Sequence, residues 1–327
     1  MIYSYPEPFN SYLKGIAFLL YRYDELFTDS CYAFRRNRSA GDAIRRFHDN
    51  NAEGKLWCLK ADVSDYFNSI NIERLLEKLK FLKADDIRLY ELFERMLKEE
   101  RVILPDGSVK SEKHGAMAGI PVAPFFANVY LSEADKLFKN EKYFRYSDDI
   151  LILAEDKEEL DRLTDKLTGV LKENGLKFNE KKLHIYAPGE TVEFLGFGIS
   201  GTEADLSDAT KEKLKGKVRR KARALNRWCR KKELPGDRAA KGFIRALNKK
   251  LYSADEKAFS WSRWFFPYLT TDKSLKELDA YIQEFIRYSV TGRHYKGNYR
   301  ITYEEMKEWG YRSLVHEWWE YKKGEQA

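Results

Sequence analysis

Two adjacent aspartates, Asp148 and Asp149, lie between an aromatic segment and an apolar, β-branched segment of the chain. Residues 144–153 have the sequence Phe-Arg-Tyr-Ser-Asp-Asp-Ile-Leu-Ile-Leu, which predicts a β-hairpin with both acids in its tight turn. Adjacent carboxylates repel each other unless a cation neutralises them, and carboxylates on a turn suit Mg²⁺, which also takes ligands from substrate phosphates. Taken alone, such a pair is more often an ordinary solvated turn, so the interpretation depends on a second acidic site.

A third aspartate, Asp62, supplies that second site at the end of a short apolar strand predicted from Lys55 onward. A helix is predicted to begin ten residues after Asp62, at Ile72. Strand ends at the edge of an open sheet commonly carry functional side chains. Carboxylates from two separate strands meeting at one edge can hold two Mg²⁺ ions about 3.5–4 Å apart, the arrangement that supports nucleotidyl transfer.

The composition indicates a folded protein without a disulfide framework. The 327 residues include 59 Lys or Arg and 52 Asp or Glu, a net charge of +7, and this length predicts two or three subdomains. The three cysteines, Cys31, Cys58 and Cys229, are scattered and odd in number, which favours a reducing compartment. We find no signal-peptide pattern and no apolar run near the roughly 20 residues that cross a bilayer. We therefore predict a soluble, cytoplasmic protein with no membrane partner.

The segments around Asp62 and around Asp148-Asp149 resemble motifs A and C of reverse transcriptases. The resemblance implies that these three acids hold two Mg²⁺ ions, for which Mn²⁺ can substitute, and that Val63 completes the metal site. Motifs resembling A, B, C, D and E follow one another in the family's order between about residues 28 and 200. Their joint occurrence is far more specific than any one of them.

The resemblance also assigns residues after Asp62 to the nucleotide. Asp65 and Tyr66 would lie where the protein meets the incoming triphosphate. Phe67, five residues after Asp62, would be the aromatic steric gate that excludes a 2′-hydroxyl. The alternative for Phe67 is a core aromatic at a strand end, and spacing alone favours that alternative.

Residues 115–131 resemble motif B, with Pro124 and the Ala127-Asn128 pair in register. Small residues let the backbone approach a base closely, so Ala118 and Gly119 are candidate nucleotide contacts. Where the family usually has Pro-Gln-Gly this chain has Met-Ala-Gly, and the missing Gln puts template use in doubt. The alternative is a purely structural helix start.

Arg35 and Arg38 cluster just before Ser39, which is predicted to cap a helix running to about Asn50. Residues 32–39 resemble a fingers motif of group II intron-type reverse transcriptases, which implies contact of both arginines with nucleotide or nucleic acid. The alternative is a solvated basic loop. The ten residues before the helix predicted at 11–28 match no further fingers block. We therefore expect short fingers, or a partner that supplies the missing grip.

Two further segments resemble motifs D and E. A helix is predicted over 157–174 and ends at Gly175. In the following motif D segment, Lys182 would donate a proton to departing pyrophosphate, with an ordinary exposed lysine as the alternative. Leu195 and Gly196 would form the primer grip of motif E, where a glycine in a strand permits close approach of the primer.

Residues 211–232 hold twelve Lys or Arg and one acid, with an apolar helical stripe. A helix packed on one face and basic on the rest is typical of a surface that follows a nucleic-acid duplex; the alternative is a solvated basic face. The candidate contacts are Arg219, Arg220, Arg223 and Arg227. Residues 240–327 are predicted to be helical, with their many aromatic residues forming a small core.

Together these patterns predict an α/β right-hand polymerase. We expect short fingers and fingers–palm elements in residues 1–54 and 71–118, and a palm with an antiparallel sheet in residues 55–70 and 119–203. The basic thumb helix would span residues 204–239, and a helical thumb or C-terminal extension residues 240–327. In the fingers–palm region we predict two helices, over 71–82 and 85–100, and a hairpin over 102–110.

The resemblance is to bacterial reverse transcriptases of the group II intron-like, retron and abortive-infection or defence-associated lineage. It implies RNA-directed DNA synthesis from dNTPs, a dedicated non-coding RNA as template, a DNA product, and a role in antiphage defence. A second protein subunit or another copy of the chain is a further expected partner. The alternatives are template-independent or protein-primed DNA synthesis, and a non-catalytic RNA-binding maturase or scaffold.

Overall fold

A computed structural model describes residues 2–255 and 259–326 of the chain. Helices and antiparallel sheets alternate along it, so the predicted mixed α/β fold class is confirmed. The chain divides into two compact units, with the boundary between Glu190 and Thr191.

The first unit is built on a four-stranded antiparallel sheet. Its helices are α1 (Phe9–Leu19), α2 (Ala40–Asn50), α3 (Tyr66–Ser69), α4 (Ile72–Lys78), α5 (Phe81–Asp85), α6 (Ile87–Lys98), α7 (Ala123–Leu137) and α8 (Lys157–Glu173). Its strands are β1 (Trp57–Asp62), β2 (Arg101–Ile103), β3 (Val109–Ser111), β4 (Lys142–Tyr146), β5 (Asp149–Ala154) and β6 (His184–Tyr186). The sheet order is β4-β5-β1-β6, while β2 and β3 form a separate hairpin.

The two central strands are buried because their residues are almost continuously apolar. Leu59 and Ala61 of β1 and Ile150 and Ile152 of β5 have no more than a trace of exposed surface. Helix α8 packs its leucine stripe against these strands. Since the apolar residues fix the register, they also fix which polar residues lie at the strand ends.

Several predicted elements are confirmed. Asp156 caps α8 by accepting from the Glu159 amide at 2.7 Å, and Gly175 follows the helix with a φ of +70°. Ser39 caps α2 in a reciprocal capping box with Asp42. The hairpin predicted over 102–110 is formed by β2 and β3.

Two predicted helices have different boundaries. The helix expected over 11–28 begins earlier, ends as α1 at Leu19, and continues as a 3₁₀ segment over Leu20–Leu26. The region expected to hold two helices over 71–100 holds three, α4, α5 and α6. Asp86 starts the last of them, because its carboxylate accepts from the Leu89 amide at 3.1 Å and favours a new N-terminus over continuation of α5.

The second unit joins a three-stranded antiparallel sheet to a helical bundle. The strands are β7 (Val192–Phe194), β8 (Phe197–Ser200) and β9 (Glu203–Leu206), in the order β7-β8-β9. The helices are α9 (Asp208–Lys231), α10 (Gly236–Leu251), α11 (Trp261–Phe265), α12 (Lys273–Thr291), α13 (Tyr303–Glu308) and α14 (Leu314–Gln326). Helices α9, α10 and α12 pack on one another. Trp261 and Trp318 are buried, as expected of a small aromatic core.

The described helices include none that could span a membrane. Across residues 2–255 and 259–326, none of them combines the length and the apolar composition that a bilayer crossing requires.

Candidate active site

Strands β1 and β5 place Asp62 and Asp149 directly opposite each other in the antiparallel register. Ser147, with a φ of +61°, and Asp148 connect β4 to β5, so Asp149 is the first residue of β5 rather than a turn residue. The Asp148 carbonyl accepts from the Val63 amide at 3.1 Å, which ties the turn to the end of β1. The structure therefore brings the three predicted acids together at one end of the two central strands, β1 and β5. We call this end of the sheet, with Asp62, Asp148 and Asp149, the acidic edge.

These acids carry more negative charge than their surroundings compensate. Asp62 is buried, and Asp148 and Asp149 are half-buried. Burial raises the pKa of Asp148, and the neighbouring Asp62 carboxylate raises it further. Burial also raises the pKa of Asp149, as do Asp148 and Asp62, although Lys60 acts in the opposite direction. A cation at this edge would relieve that repulsion.

Lys182 lies in this acidic site, as the motif D resemblance implied. Its Nζ contacts Oδ2 of Asp62 at 2.8 Å, while the rest of its side chain is largely exposed. The hydrogen bond to Asp62 raises the pKa of Lys182. The adjoining Asn179 donates its backbone amide to the Asp62 carbonyl at 2.7 Å. Asn179 is therefore a positioning residue that sequence reasoning missed.

Lys60 is a second site residue that sequence reasoning missed. It lies two residues before Asp62 on β1, so both side chains project from the same face of the strand. Its positive charge lowers the pKa of Asp149. The sequence does show that Lys60 and Asp62 lie two residues apart in a predicted strand and therefore share a face. It does not show that Asp149 lies opposite Asp62, which requires the position of β1 in the sheet.

The donor chemistry of this edge fits a hard divalent cation. Within the described residues, no three Asp, Glu, His or Cys side chains already form a metal-binding group, and Asp62 is bonded to Lys182 instead. The Lys182 ammonium thus supplies the positive charge that offsets the Asp62 carboxylate. Asp62, Asp148 and Asp149, with the backbone of Val63, are the residues that would hold the metal.

Arg145, on β4, has no exposed side-chain surface and forms an ion pair with the equally buried Asp135 of α7. Burial alone would lower the pKa of Arg145, but the Asp135 carboxylate keeps it well above its ordinary value. The guanidinium also donates to the Ser147 carbonyl at 3.2 Å and to Asn128 Oδ1 at 3.4 Å. Since Ser147 precedes Asp148, the ion pair supports the turn that leads into Asp148 and Asp149.

The same arginine anchors the segment before α2. Its amide donates to the Ser30 carbonyl at 2.8 Å, and its carbonyl accepts from the Tyr32 amide at 2.9 Å. Its Nη2 lies 3.1 Å from Sγ of Cys31. The turn between β4 and β5, helix α7 and residues 30–32 therefore share one buried polar cluster.

The sequence from residue 11 to 199, more than half of the chain, matches the family model described as reverse transcriptase (RNA-dependent DNA polymerase). The chain belongs to the reverse transcriptase family. Members of that family are nucleotidyltransferases, and the acidic edge lies inside the matched region. No curated protein sequence matches the chain significantly.

Solved telomerase structures resemble this reverse transcriptase in fold. The apo telomerase of Candida tropicalis has a TM-score of 0.50 at 14% identity, over 92% of this chain and 61% of that one. Telomerase of Candida albicans in complex with a TWJ fragment of telomeric RNA has a TM-score of 0.46 at 13% identity, over 92% of this chain and 55% of that one. The chain thus spans roughly three fifths or less of their length. The family match and the first of these structures confirm the predicted right-hand polymerase fold class.

The motif A residues of this reverse transcriptase have distinct environments. Asp65 has a φ of +44° and accepts from Asn68 Nδ2 at 2.7 Å. Tyr66 is buried, and its hydroxyl donates to the Ala127 carbonyl at 2.5 Å, so a nucleotide contact at this position is limited to the backbone. Phe67 is half-buried and meets the exposed Phe34 edge-to-face, with ring centroids 6.5 Å apart.

The motif B loop approaches motif A through its backbone. The Ala116 amide donates to the Phe67 carbonyl at 2.8 Å. Gly115 has a φ of +53°, and a Cβ at this position would lie 2.4 Å from the same carbonyl oxygen, so only glycine fits. Gly115 is thus a further residue that sequence reasoning had left unassigned.

Ile2 and Tyr3 lie over the candidate nucleotide residues of motif B. The Tyr3 amide donates to the Ala118 carbonyl at 2.7 Å. A Cβ on Gly119, whose φ is +108°, would lie 2.6 Å from Cγ2 of Ile2. The Tyr3 hydroxyl donates to Glu112 at 3.2 Å. Residues 2 and 3 therefore contact this loop on one side, while Ala118 stays half-buried and Gly119 stays exposed.

The two candidate arginines before α2 have partners within the protein. Arg35 donates to the carbonyls of Asp24, Thr28 and Cys31 at 2.9, 2.7 and 3.1 Å. Its guanidinium is thus bonded to the protein's own backbone, and contact of Arg35 with a nucleotide stays a prediction. Arg38 forms an ion pair with Asp29 near the surface.

In the second unit, Leu195 and Gly196 form the tight turn between β7 and β8, with φ values of +48° and +91°. Two positive φ values are typical of hairpin turns that match the strand twist. The Gly196 carbonyl accepts from Thr210 Oγ1 at 2.9 Å and from the Ser207 amide at 3.0 Å. This turn is thus fixed to the start of α9, and contact with a primer stays a prediction.

Proposed function

We propose that this reverse transcriptase adds dNTPs to a primer 3′-hydroxyl on an RNA template, with two Mg²⁺ ions held by Asp62, Asp148 and Asp149. Mn²⁺ is the proposed substitute. The observation that carries the proposal is the placement of Asp62 directly opposite Asp149, with Asp148 in the adjoining turn. When bound, such ions activate the attacking oxygen and neutralise charge on the leaving one.

In this proposal, the chain's own residues position the substrates and supply a proton to the leaving pyrophosphate. Lys60 and Lys182 supply positive charge beside the carboxylates. Because its pKa is raised, Lys182 holds a proton at neutral pH, and we assign it the transfer of that proton to the departing pyrophosphate. Phe67 is the proposed gate against ribonucleotides, with Phe34 packed against its edge. Asp65, Ala118, Gly119 and Arg38 are the remaining proposed nucleotide contacts.

The partners follow from the resemblance to the bacterial retroelement and defence-associated lineage. We propose a dedicated non-coding RNA as template, a DNA product, a second protein subunit or copy of the chain, and a role in antiphage defence. Cys31, Cys58 and Cys229 are buried and form no disulfide, which supports the proposed cytoplasmic location.

The proposed division of the chain keeps the predicted boundaries. Residues 1–54 and 71–118 are assigned to fingers and fingers–palm elements, and residues 55–70 and 119–203 to the palm. Residues 204–239 are assigned to the basic thumb helix and residues 240–327 to the helical extension. Met1, residues 256–258 and Ala327 of these ranges lie outside the described residues.

Template-independent or protein-primed synthesis is a second candidate. The observation that favours it is the motif B loop, where Ala118 stands in place of Gln and its carbonyl is bonded to Tyr3. The contact with Tyr3 leaves less room for a template base on that side of the loop.

The test incubates the purified chain, with any RNA that copurifies, with labelled dNTPs in Mg²⁺. Parallel reactions use RNase-treated protein, the Asp148→Ala/Asp149→Ala variant, and Asp165→Ala, an exposed acid on α8, as a matched control. Product that requires the two aspartates and disappears after RNase supports templated synthesis. Product that survives RNase supports the second candidate. Absence of product in every reaction supports the non-catalytic RNA-binding alternative.

A further inference from the structure

Residues 2–5 lie along one side of the motif B loop, residues 115–119, and we call this segment the Tyr3 strap. The Tyr3 amide donates to the Ala118 carbonyl at 2.7 Å. The Tyr5 hydroxyl lies 3.8 Å from Sδ of Met117, a residue 112 positions away in the sequence. No local turn imposes such contacts, so the strap is a tertiary support for the loop.

The backbone of the motif B loop needs support from its neighbours. Met117 is buried and has a φ of +55°, a conformation that a bulky side chain keeps only where the surrounding structure imposes it. Gly115 and Gly119 on either side of it have φ values of +53° and +108°. At one end of the loop, the Ala116 amide donates to the Phe67 carbonyl of motif A at 2.8 Å. The strap holds the other end.

The strap and Gly119 fit closely against each other. A Cβ at Gly119 would lie 2.6 Å from Cγ2 of Ile2 and 2.7 Å from the Tyr3 carbonyl oxygen. Any other residue at this position would therefore displace the strap. Gly119 is nevertheless exposed and Ala118 is half-buried, so the loop is packed on the strap and still accessible to a ligand.

The Tyr3 side chain anchors the strap to two further parts of the first unit. Its hydroxyl donates to Glu112 at 3.2 Å, and the Glu112 amide extends the β2–β3 hairpin by donating to the Glu100 carbonyl at 2.9 Å. Its ring meets the buried His114 edge-to-face, with ring centroids 5.6 Å apart. Burial raises the pKa of Tyr3, and the hydrogen bond to Glu112 raises it further, so the hydroxyl keeps the proton that it donates.

We propose that Tyr3 is a positioning residue for the incoming nucleotide, acting through the backbone of Ala118. The strap holds the motif B loop against Phe67, which gives Ala118 and Gly119 a fixed place beside the nucleotide. This inference rests on the proposed function, because it takes Ala118 and Gly119 as nucleotide contacts. Asp65, another proposed nucleotide contact, lies near enough for its charge to raise the pKa of Tyr3.

Loss of the strap should affect nucleotide binding more than the chemical step. An interaction equally strong in the ground state and in the transition state changes KM and leaves kcat unaltered. Tyr3→Ala removes both side-chain anchors, so KM for the dNTP should rise about tenfold while kcat changes by less than about twofold. Tyr3→Phe keeps the ring on His114 and loses the hydroxyl, so KM should rise about threefold. Steady-state addition of a single nucleotide measures both constants.

Glu112 provides a rescue by a conservative variant. Glu112→Gln keeps an oxygen that accepts from the Tyr3 hydroxyl and should retain the affinity for dNTP, whereas Glu112→Leu should reproduce the effect of Tyr3→Phe. The matched control is Tyr12→Ala, which removes a 63% exposed ring of α1 and should leave both constants unchanged. A KM that Tyr3→Ala leaves unchanged, or that Tyr12→Ala raises equally, would overturn the proposal. So would a fall in kcat without a rise in KM.

Hydrogen exchange tests the inference without catalysis. In Tyr3→Ala, the Ala116 amide should exchange faster because the loop is held less firmly against Phe67. Unaltered exchange in α8 would show that the variant folds. Unchanged exchange at Ala116 would overturn the proposal. If the unsubstituted protein extends no primer, the proposed function is contradicted, whereas the exchange rates still decide whether the strap holds the loop.

Discussion

Arg145 and Asp135 form an ion pair without exposed side-chain surface, in which Nε and Nη2 lie 2.7 and 2.5 Å from the two carboxylate oxygens. The remaining guanidinium nitrogen donates to the Ser147 carbonyl, one residue before Asp148. The pair therefore has two separable tasks. It satisfies a buried carboxylate, and it fixes the backbone of the turn.

Replacing Arg145 alone should strongly lower the free energy of unfolding. Arg145→Met leaves Asp135 buried without its partner, and such a loss typically costs about 3–5 kcal/mol in the free energy of unfolding. Chemical denaturation measures it. Arg22→Ala, which breaks the exposed pair with Asp85, is the control and should cost no more than about 1 kcal/mol.

Replacing both partners separates the two tasks. Arg145→Met/Asp135→Leu should recover most of the lost stability, because a buried ion pair exchanged for apolar side chains is often neutral. The rate of nucleotide addition should stay low, since the Ser147 carbonyl still lacks its donor. Recovery of both stability and kcat in the double variant would contradict a positioning role.

The acidic edge should make stability depend on pH and on metal. Folding raises the pKa values of Asp148 and Asp149, so the folded protein binds protons more tightly than the unfolded chain. Its free energy of unfolding should therefore fall as pH rises through the folded pKa values. Asp148→Asn/Asp149→Asn should be more stable than the unsubstituted protein at pH 7 without metal, and this difference should shrink as the pH is lowered.

Divalent metal should restore that stability only where the carboxylates are present. At a free Mg²⁺ concentration 100-fold above its Kd, the unsubstituted protein should gain about 2.7 kcal/mol. Thermal denaturation with and without Mg²⁺ measures the gain. An equal gain in the double Asn variant would show that the ion binds elsewhere.

Lys182 should affect rate more than substrate binding. Lys182→Arg keeps the positive charge near Asp62 but cannot release a proton at working pH, so kcat should fall by about 10²–10⁴-fold, the usual contribution of a general acid. The fall in rate at alkaline pH, which reports deprotonation of this lysine, should disappear as well. Single-turnover kinetics over a pH series tests both. Lys181→Ala, the adjacent exposed lysine, is the control, and a profile equally altered by it would exclude the assigned role.

Phe67 should select the sugar. Phe67→Val shortens the side chain beside Phe34 and opens space for a 2′-hydroxyl, which should raise the use of rNTPs relative to dNTPs by roughly 10- to 200-fold, the range for discrimination by pocket size. Competing incorporation of paired nucleotides measures the ratio. Phe81→Val, which removes a half-buried aromatic packed on Tyr23, serves as the control. An unchanged ratio in Phe67→Val would assign the ring to the core alone.

Local patterns predicted the elements of the acidic edge, and the resemblance to motifs A and C implied that their aspartates meet. The hairpin around Asp148, the strand ending at Asp62 and the helix before Lys182 each have a period and a boundary that the sequence displays. The Arg145 cluster was not predictable, since Cys31 lies 114 residues away and no periodicity links the two. The same holds for Tyr3 over Ala118, which depends on how distant elements pack.

Arg35 shows what sequence spacing leaves open. Its neighbours in sequence predicted a phosphate contact, and the fold gives its guanidinium three backbone carbonyl partners, those of Asp24, Thr28 and Cys31. Sequence spacing identifies charged clusters without showing which charges the fold itself uses.

The most direct test of the central claim is addition of one labelled dNTP to a DNA primer annealed to RNA, in Mg²⁺, by the unsubstituted protein and by Asp62→Asn. Asn keeps the size of the side chain and removes its charge, so Asp165→Asn on α8 is the matched control. We expect extension by the unsubstituted and control proteins, and loss of extension in Asp62→Asn that added Mg²⁺ does not restore. Undiminished extension by Asp62→Asn would contradict the assignment of this acidic edge as the active site.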